Sequence, residues 1–371
     1  LKKHTLPILA SALLTVFASL STVALFSGWQ STRAHRAYAA GRPHFDRGYY
    51  LPDKTLGWRQ KPNLEIRDQK SGELIFHTDA FGFRNRENTP DRSPIVLLGD
   101  SFVQGYYLRH DQTVGAQLEK LTTIPVYNAG VGGFSTDQEY LVGKELLEKF
   151  QPTHVFLLFF FNDLPYLDKD EAWGMRKSRF RISRGQIQWN QLLRQPDATD
   201  LGPIFSPRTA NIGRHEISEL SYRRNPTSIF GKLFLQNLIL CLNFLSGRHS
   251  ALQMDSVLPR GRAYLDPHAL DSEWDLAFQF FVKLRDQAES KKCKLTVFFI
   301  PEMEQILSNR AEYFEPQRRF VTLCDEQKLN CIEPHEAFLK AQSEIDLYFR
   351  DDGHFSEAGA GLTAKILEQN L

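Results

Sequence analysis

Ile95-Val96-Leu97-Leu98-Gly99-Asp100-Ser101-Phe102 is the stretch on which the fold turns. Four consecutive apolar residues, two of them β-branched, fit a short strand buried on both faces, as in a parallel sheet. The glycine permits a tight turn, which puts Ser101 at the carboxyl end of the strand, where open α/β sheets gather ligands. The start of the next helix offers unpaired N–H groups to a developing oxyanion. A lone Gly-Asp-Ser-Phe is also an ordinary helix cap, so its meaning depends on its surroundings.

Working outward, the pattern repeats. The spacing predicts a helix over 113–121, a strand over 125–127, and a helix to Phe150 capped by Ser135-Thr136-Asp137-Gln138. A third apolar strand follows over 155–161. After about a hundred residues the alternation resumes, with a helix over 272–290, a strand over 295–300 and a helix over 317–326. A short fifth strand at 331–332 and a closing helix over 356–369 complete it. Such alternation implies a three-layer α/β/α sandwich on a mostly parallel five-stranded sheet.

Domain organisation follows: an α/β domain over 94–371, an accessory region over 43–93, and an insert over 164–270. The accessory region is rich in turns, with Leu56-Gly57-Trp58 and Phe81-Gly82-Phe83 around a hairpin arm at 73–78. In the insert, 180–183 and 186–189 flank Arg184-Gly185, a two-residue hairpin turn. Residues 229–245 are apolar but carry Lys232 and Asn237, which suits a packed cap helix better than a second membrane span. Between 171 and 270 there are 14 Lys and Arg against 7 Asp and Glu. This excess suits either an anionic polymer or lipid surface or a merely solvated face. Because it leaves the sheet beside the third strand, the insert is expected to cover the site.

Composition excludes several classes. With 45 Lys and Arg against 44 Asp and Glu in 371 residues, the chain lacks the basic excess of a nucleic-acid binder. Neither CxxC nor HExxH occurs, so no metal or other cofactor is expected. Residues 5–29 contain no charge and are long enough to span a bilayer, with Lys2 and Lys3 before them and Trp29 at the far end. A retained transmembrane signal anchor is the expectation. A cleaved signal peptide ending near Ala37-Tyr38-Ala39 and an anchor facing the cytoplasm are the alternatives. The first two place the rest of the chain outside the cytoplasm, periplasmic or at the cell surface. That compartment permits disulfides, and Cys324 and Cys331 are only seven apart, but buried free thiols are the preferred reading of the four cysteines, with pairing left open.

Three further blocks follow predicted strands or fill the last loop. They are Asn128-Ala129-Gly130-Val131-Gly132-Gly133, then Phe161-Asn162-Asp163, then Asp351-Asp352-Gly353-His354-Phe355-Ser356. A serine, a glycine-rich turn, an amide side chain and a histidine preceded by acids suit acyl transfer. An alcohol needs a base within reach to attack an ester, and an acid orients that base. In this order the blocks resemble the SGNH/GDSL hydrolase superfamily over roughly 94–163 and 272–371. More loosely, the Leu56-Gly57-Trp58 and Gly82-Phe83-Arg84 lead-in and the single anchor resemble membrane-anchored bacterial members linked to surface polysaccharide modification.

The resemblance implies Ser101 as nucleophile, His354 as general base and then acid, and an oxyanion hole from the Ser101 and Gly133 amides and the Asn162 side chain. It implies Asp351 as the triad acid, three residues before the histidine, with Asp352 as the competitor. The expected activity is extracytoplasmic hydrolysis of carboxylic esters, an O-acetyl glycan or an acyl ester, through an acyl-Ser101 intermediate. Two alternatives stay open: an O-acetyltransferase working with a multi-span membrane partner, and a non-catalytic glycan-binding protein. Tyr106 and Phe134 are expected as pocket walls and Glu302 at its border. His77, His154 and the other scattered histidines, with Trp58, Trp173, Trp189 and Trp274, are read as packing or surface residues.

Overall fold

The structure is a computed structural model that describes residues 49–67, 72, 74–85, 94–172, 175–183, 186–190, 268, 270–308, 310–350 and 353–371. The expected anchor over 5–29, the cap helix over 229–245, Trp173 and the two candidate acids Asp351 and Asp352 lie outside these residues. Among the described residues no helix is long and apolar enough to cross a membrane.

The described residues open with two small antiparallel pairs, β1 (Tyr50–Asp53) with β2 (Gly57–Gln60) and β3 (Glu65–Arg67) with β4 (Leu74–His77). Then come β5 (Ile95–Gly99), α1 (Ser101–Gln104), α2 (Val114–Thr122), β6 (Val126–Asn128), α3 (Thr136–Phe150) and β7 (His154–Phe159). The described part of the insert holds α4 (Leu164–Leu167) and the antiparallel pairs β8 (Glu171–Ala172) with β9 (Met175–Arg176) and β10 (Arg179–Ser183) with β11 (Gln186–Asn190). Ser183 pairs with Gln186, the register that a two-residue turn requires. The chain closes with α5 (Asp271–Ser290), β12 (Lys294–Phe299), α6 (Met303–Ser308), α7 (Glu315–Gln327), β13 (Cys331–Ile332), α8 (His335–Gln342) and α9 (Glu357–Glu368).

The central sheet has the order β13-β12-β7-β5-β6, and every pairing in it is parallel. All five residues of β5 and all six of β7 are buried, which explains their unbroken apolar sequence. Alternation splits them between two faces. Ile95, Leu97, Phe156 and Leu158 share a core with Leu118 of α2 and Ala360, Ala364 and Leu367 of α9. On the other face Gly143 of α3 lets the helix approach Leu98 and Leu284, and Phe159 packs on Trp274, Phe281 and Phe320.

One expectation is overturned. Cys324 and Cys331 are not free thiols but form a disulfide that ties the end of α7 to the edge strand β13. The turn after α7 brings their Cα atoms to 6.3 Å, within bonding range, a proximity that spacing alone does not reveal. Cys293 is free and buried.

Candidate active site

Each strand of the sheet ends at the same edge, and the quoted blocks follow from there. Asp100 ends the turn after β5 and caps α1, its Oδ1 accepting the Phe102 N–H at 2.9 Å. This cap presents Ser101 at the first position of a short helix. His354 arrives from the far end of the chain on a tight hairpin, in which Tyr348 bridges Phe355 and the Phe349 N–H donates to the His354 carbonyl at 2.8 Å. Ser101 Oγ and His354 Nε2 are 2.8 Å apart, although 253 positions separate them.

The imidazole is walled by rings, with Phe102 at 4.9 Å, Tyr106 at 4.7 Å and Tyr107 at 6.2 Å between centroids. Tyr106 and Tyr107 remain partly exposed. Tyr107 takes φ 66°, an unusual conformation for a bulky residue, in the turn that leads away from Ser101 and α1.

The glycine-rich turn after β6 packs directly on α1. A Cβ at Gly130 would lie 2.2 Å from the Gln104 nitrogen, so no larger residue fits. Gly133 adopts φ 78°, the left-handed region that favours glycine. Neither its amide nor that of Ser101 donates to a backbone carbonyl among the described residues. Asn162 lies on the turn after β7, and its Nδ2 donates to Asp100 Oδ2 at 3.3 Å. Ser101 Oγ lies 3.5 Å from the same oxygen. Asp100 therefore gathers the serine and the amide side chain at one point. Ser101, His354 and Asn162 are thus brought together, and Gly133 lies in the turn packed beside them.

Phe134 is a correction, since it is buried against Trp58 and forms core, not pocket wall. Glu302 is likewise largely buried, and its backbone N–H is held by Gln305. His154 is buried and bonds Thr296 at 2.8 Å, and burial pulls its proton affinity down to about 4.

The accessory region contributes more than sequence reasoning expected. Trp58 Nε1 donates to the Gly132 carbonyl at 3.2 Å and Gln60 Nε2 to the Gly130 carbonyl at 3.1 Å. Arg84 is buried and donates to the carbonyls of Gln104, Gly105, Ile75 and Leu108 at 2.6–3.1 Å. These side chains clamp the glycine turn and the end of α1. The clue lay in Phe81-Gly82-Phe83-Arg84, but an isolated arginine after a turn has no periodic signal.

Near Asp100, the residue before Ser101, lies a buried charged cluster. Lys177 and Asp137 form an ion pair whose side chains are both fully buried, and the Ser135 hydroxyl donates to Asp137 at 2.7 Å. Burial pushes the Asp137 carboxyl up, and Lys177 pulls it back. Glu139, also buried, is pushed well above the usual carboxylate range by burial and by the charges of Asp100 and Asp137.

No family model matches the chain, and no curated protein matches it in sequence. Similar solved structures include a member of the lipolytic protein G-D-S-L family from Veillonella parvula DSM 2008, at 12% identity and TM-score 0.36 over 73% of this chain and 94% of that one. Another is an acetyl xylan esterase, at 11% identity and TM-score 0.39 over 75% of this chain and 99% of that one. A third is the psychrotrophic esterase EstA from Pseudoalteromonas sp., at 11% identity and TM-score 0.35 over 75% and 95%. These are one G-D-S-L family protein and two esterases. At these scores the likeness is slight, and the site stands on its side-chain geometry.

Proposed function

We propose that this chain is a serine esterase of the SGNH type that hydrolyses carboxylic esters outside the cytoplasm. The observation that carries the reading is the 2.8 Å contact between Ser101 Oγ and His354 Nε2 at the carboxyl edge of a parallel sheet. In the first step Oγ attacks the ester carbonyl carbon while its proton passes to Nε2. The carbonyl oxygen becomes an oxyanion, received by the Ser101 and Gly133 amides and the Asn162 side chain. Collapse breaks the bond to the alcohol, which leaves with the proton from His354. Water, deprotonated by the same nitrogen, then attacks the acyl carbon; collapse breaks its bond to Oγ, which takes the proton back from His354 as the acid is released. Asp351 or Asp352 orients the imidazole.

The Cys324–Cys331 disulfide supports an oxidising compartment, in line with the apolar segment at 5–29. Tyr106 and Tyr107 beside His354 support an acyl or sugar contact there, with an O-acetyl glycan or an acyl ester as substrate.

The test is turnover of p-nitrophenyl esters from acetyl to dodecanoyl by the wild type and by Ser101→Ala. Loss of about three or more powers of ten in kcat for the variant is expected, with the fold intact by circular dichroism. A folded wild type that turns over none of them refutes simple ester hydrolysis. A chain-length profile peaking at acetyl selects the deacetylase form.

A further inference from the structure

Glu139, on the first turns of α3, is 1% exposed, and neither of its carboxyl oxygens has a hydrogen-bond partner. A charged carboxylate cannot persist there without partners, because desolvation disfavours it by several kcal/mol on general grounds. The nearby charges make the exclusion stronger. Asp137 lies two positions earlier on the same helix, and Asp100 ends the turn after β5; both raise the proton affinity of Glu139. The one buried cation in the cluster, Lys177, is committed to Asp137. Asp163, on the turn after β7, is a further buried carboxyl on the elements around α3, and its Oδ2 accepts the Phe160 N–H. At the far end of α3, Glu148 pairs with Lys291 in solvent and plays no part.

Asp100 accepts hydrogen bonds on both oxygens, from the Phe102 N–H, the Asn162 amide and the Ser101 hydroxyl, a set that a carboxylate fits best. It caps the nucleophile helix and holds the Asn162 amide, so its charge must not be contested by a neighbour.

We propose that Glu139 is held as a neutral acid and is a positioning residue: by carrying no charge, it leaves Asp100 the anion that sets Ser101 and Asn162. The kinetic arm of its test rests on the serine-esterase reading, whereas the spectroscopic and stability arms do not. The sign follows from linkage. A carboxyl raised in the folded state stabilises the fold below its unfolded range, and that stabilisation fades as pH climbs towards the folded value.

The experiment compares wild type with Glu139→Gln, the neutral isostere. Wild type should show an infrared protonated-carboxyl stretch at neutral pH that is absent in the variant. From about pH 5 upward, the folding constant of wild type should fall about tenfold per pH unit relative to the variant, until Glu139 ionises. On p-nitrophenyl acetate, kcat of the two should agree within about threefold at pH 6, and only wild type should show an alkaline fall that Glu139→Gln removes. If Glu139→Gln has the same alkaline limb as wild type, the positioning role is wrong. Should the variant fail to fold, the wild-type spectrum alone decides, since the lack of a protonated-carboxyl band at neutral pH overturns the proposal. An inert wild type with the band and the stability slope present would refute the esterase reading and leave the neutral Glu139 standing.

Discussion

Arg84→Met removes a cation that is 1% exposed and bonded to four main-chain carbonyls, with its guanidinium 4.8 Å from the Phe76 ring centroid. Burial pulls the Arg84 proton affinity down to about 9, with Asp111 opposing, so it remains charged at neutral pH. Of its four acceptors, the Gly105 carbonyl keeps a partner in the Leu108 N–H. The Gln104, Ile75 and Leu108 carbonyls lose their arginine donor. At about 1–3 kcal/mol for each buried group deprived of a partner, the gross loss is about 3–9 kcal/mol. Release of the buried cation into no charge at all offsets part of this, which leaves an expected net loss of about 3 kcal/mol. For a domain of this size that lowers Tm by about 6–12 °C, measured by calorimetry. The same bonds fix the turn that carries Tyr106 and Tyr107 against His354, so kcat should fall about tenfold or more on p-nitrophenyl acetate, with KM less affected. Arg84→Lys retains the charge but not the planar fork and should lie between. If Arg84→Met melts within about 2 °C of wild type at unchanged kcat, the desolvation of the cation cancels its bonds and the clamp argument fails.

Two further outcomes are expected. Lys177→Met strands the buried Asp137 charge and should cost about 3–5 kcal/mol in urea unfolding, while the double change with Asp137→Leu recovers most of it. Recovery of nothing would mean that the lysine packs and does not pair. Changing Cys324 and Cys331 to Ser should cost about 2.5 kcal/mol from the small loop they close, read as a lower urea midpoint with the slope retained.

The sheet was legible because buried parallel strands have no polar face: Ile95–Gly99 and His154–Phe159 stand out as short apolar runs between helix caps. Ser101, Asn162 and His354 were legible because each follows such a run or the last hairpin. What escaped is set by tertiary contact. Helix α8 (His335–Gln342) follows a two-residue strand and buries only Phe338 fully, so its periodicity is weak. Gln60 and Trp58 act through carbonyls 70 and 74 positions away, and three of the four that Arg84 holds lie 20 to 24 positions on, so no local pattern marks such bonds. Lys177 pairs with Asp137 across 40 positions, and in sequence it is one more lysine in a basic stretch. Cys324 and Cys331 became a pair only once the turn after α7 was known.

The separation of 253 positions between the two members of the proton relay has a consequence for biogenesis. A chain emerging from the ribosome completes Ser101 and its helix cap early, but His354 arrives 253 positions later, in the hairpin before α9. Contacts of such long sequence span form late, after local pieces have settled. Until α9 docks on α2, the nucleophile is an ordinary alcohol. On the serine-esterase reading, the serine gains its base only when the segment carrying His354 has docked at the sheet edge, and activity reports that docking.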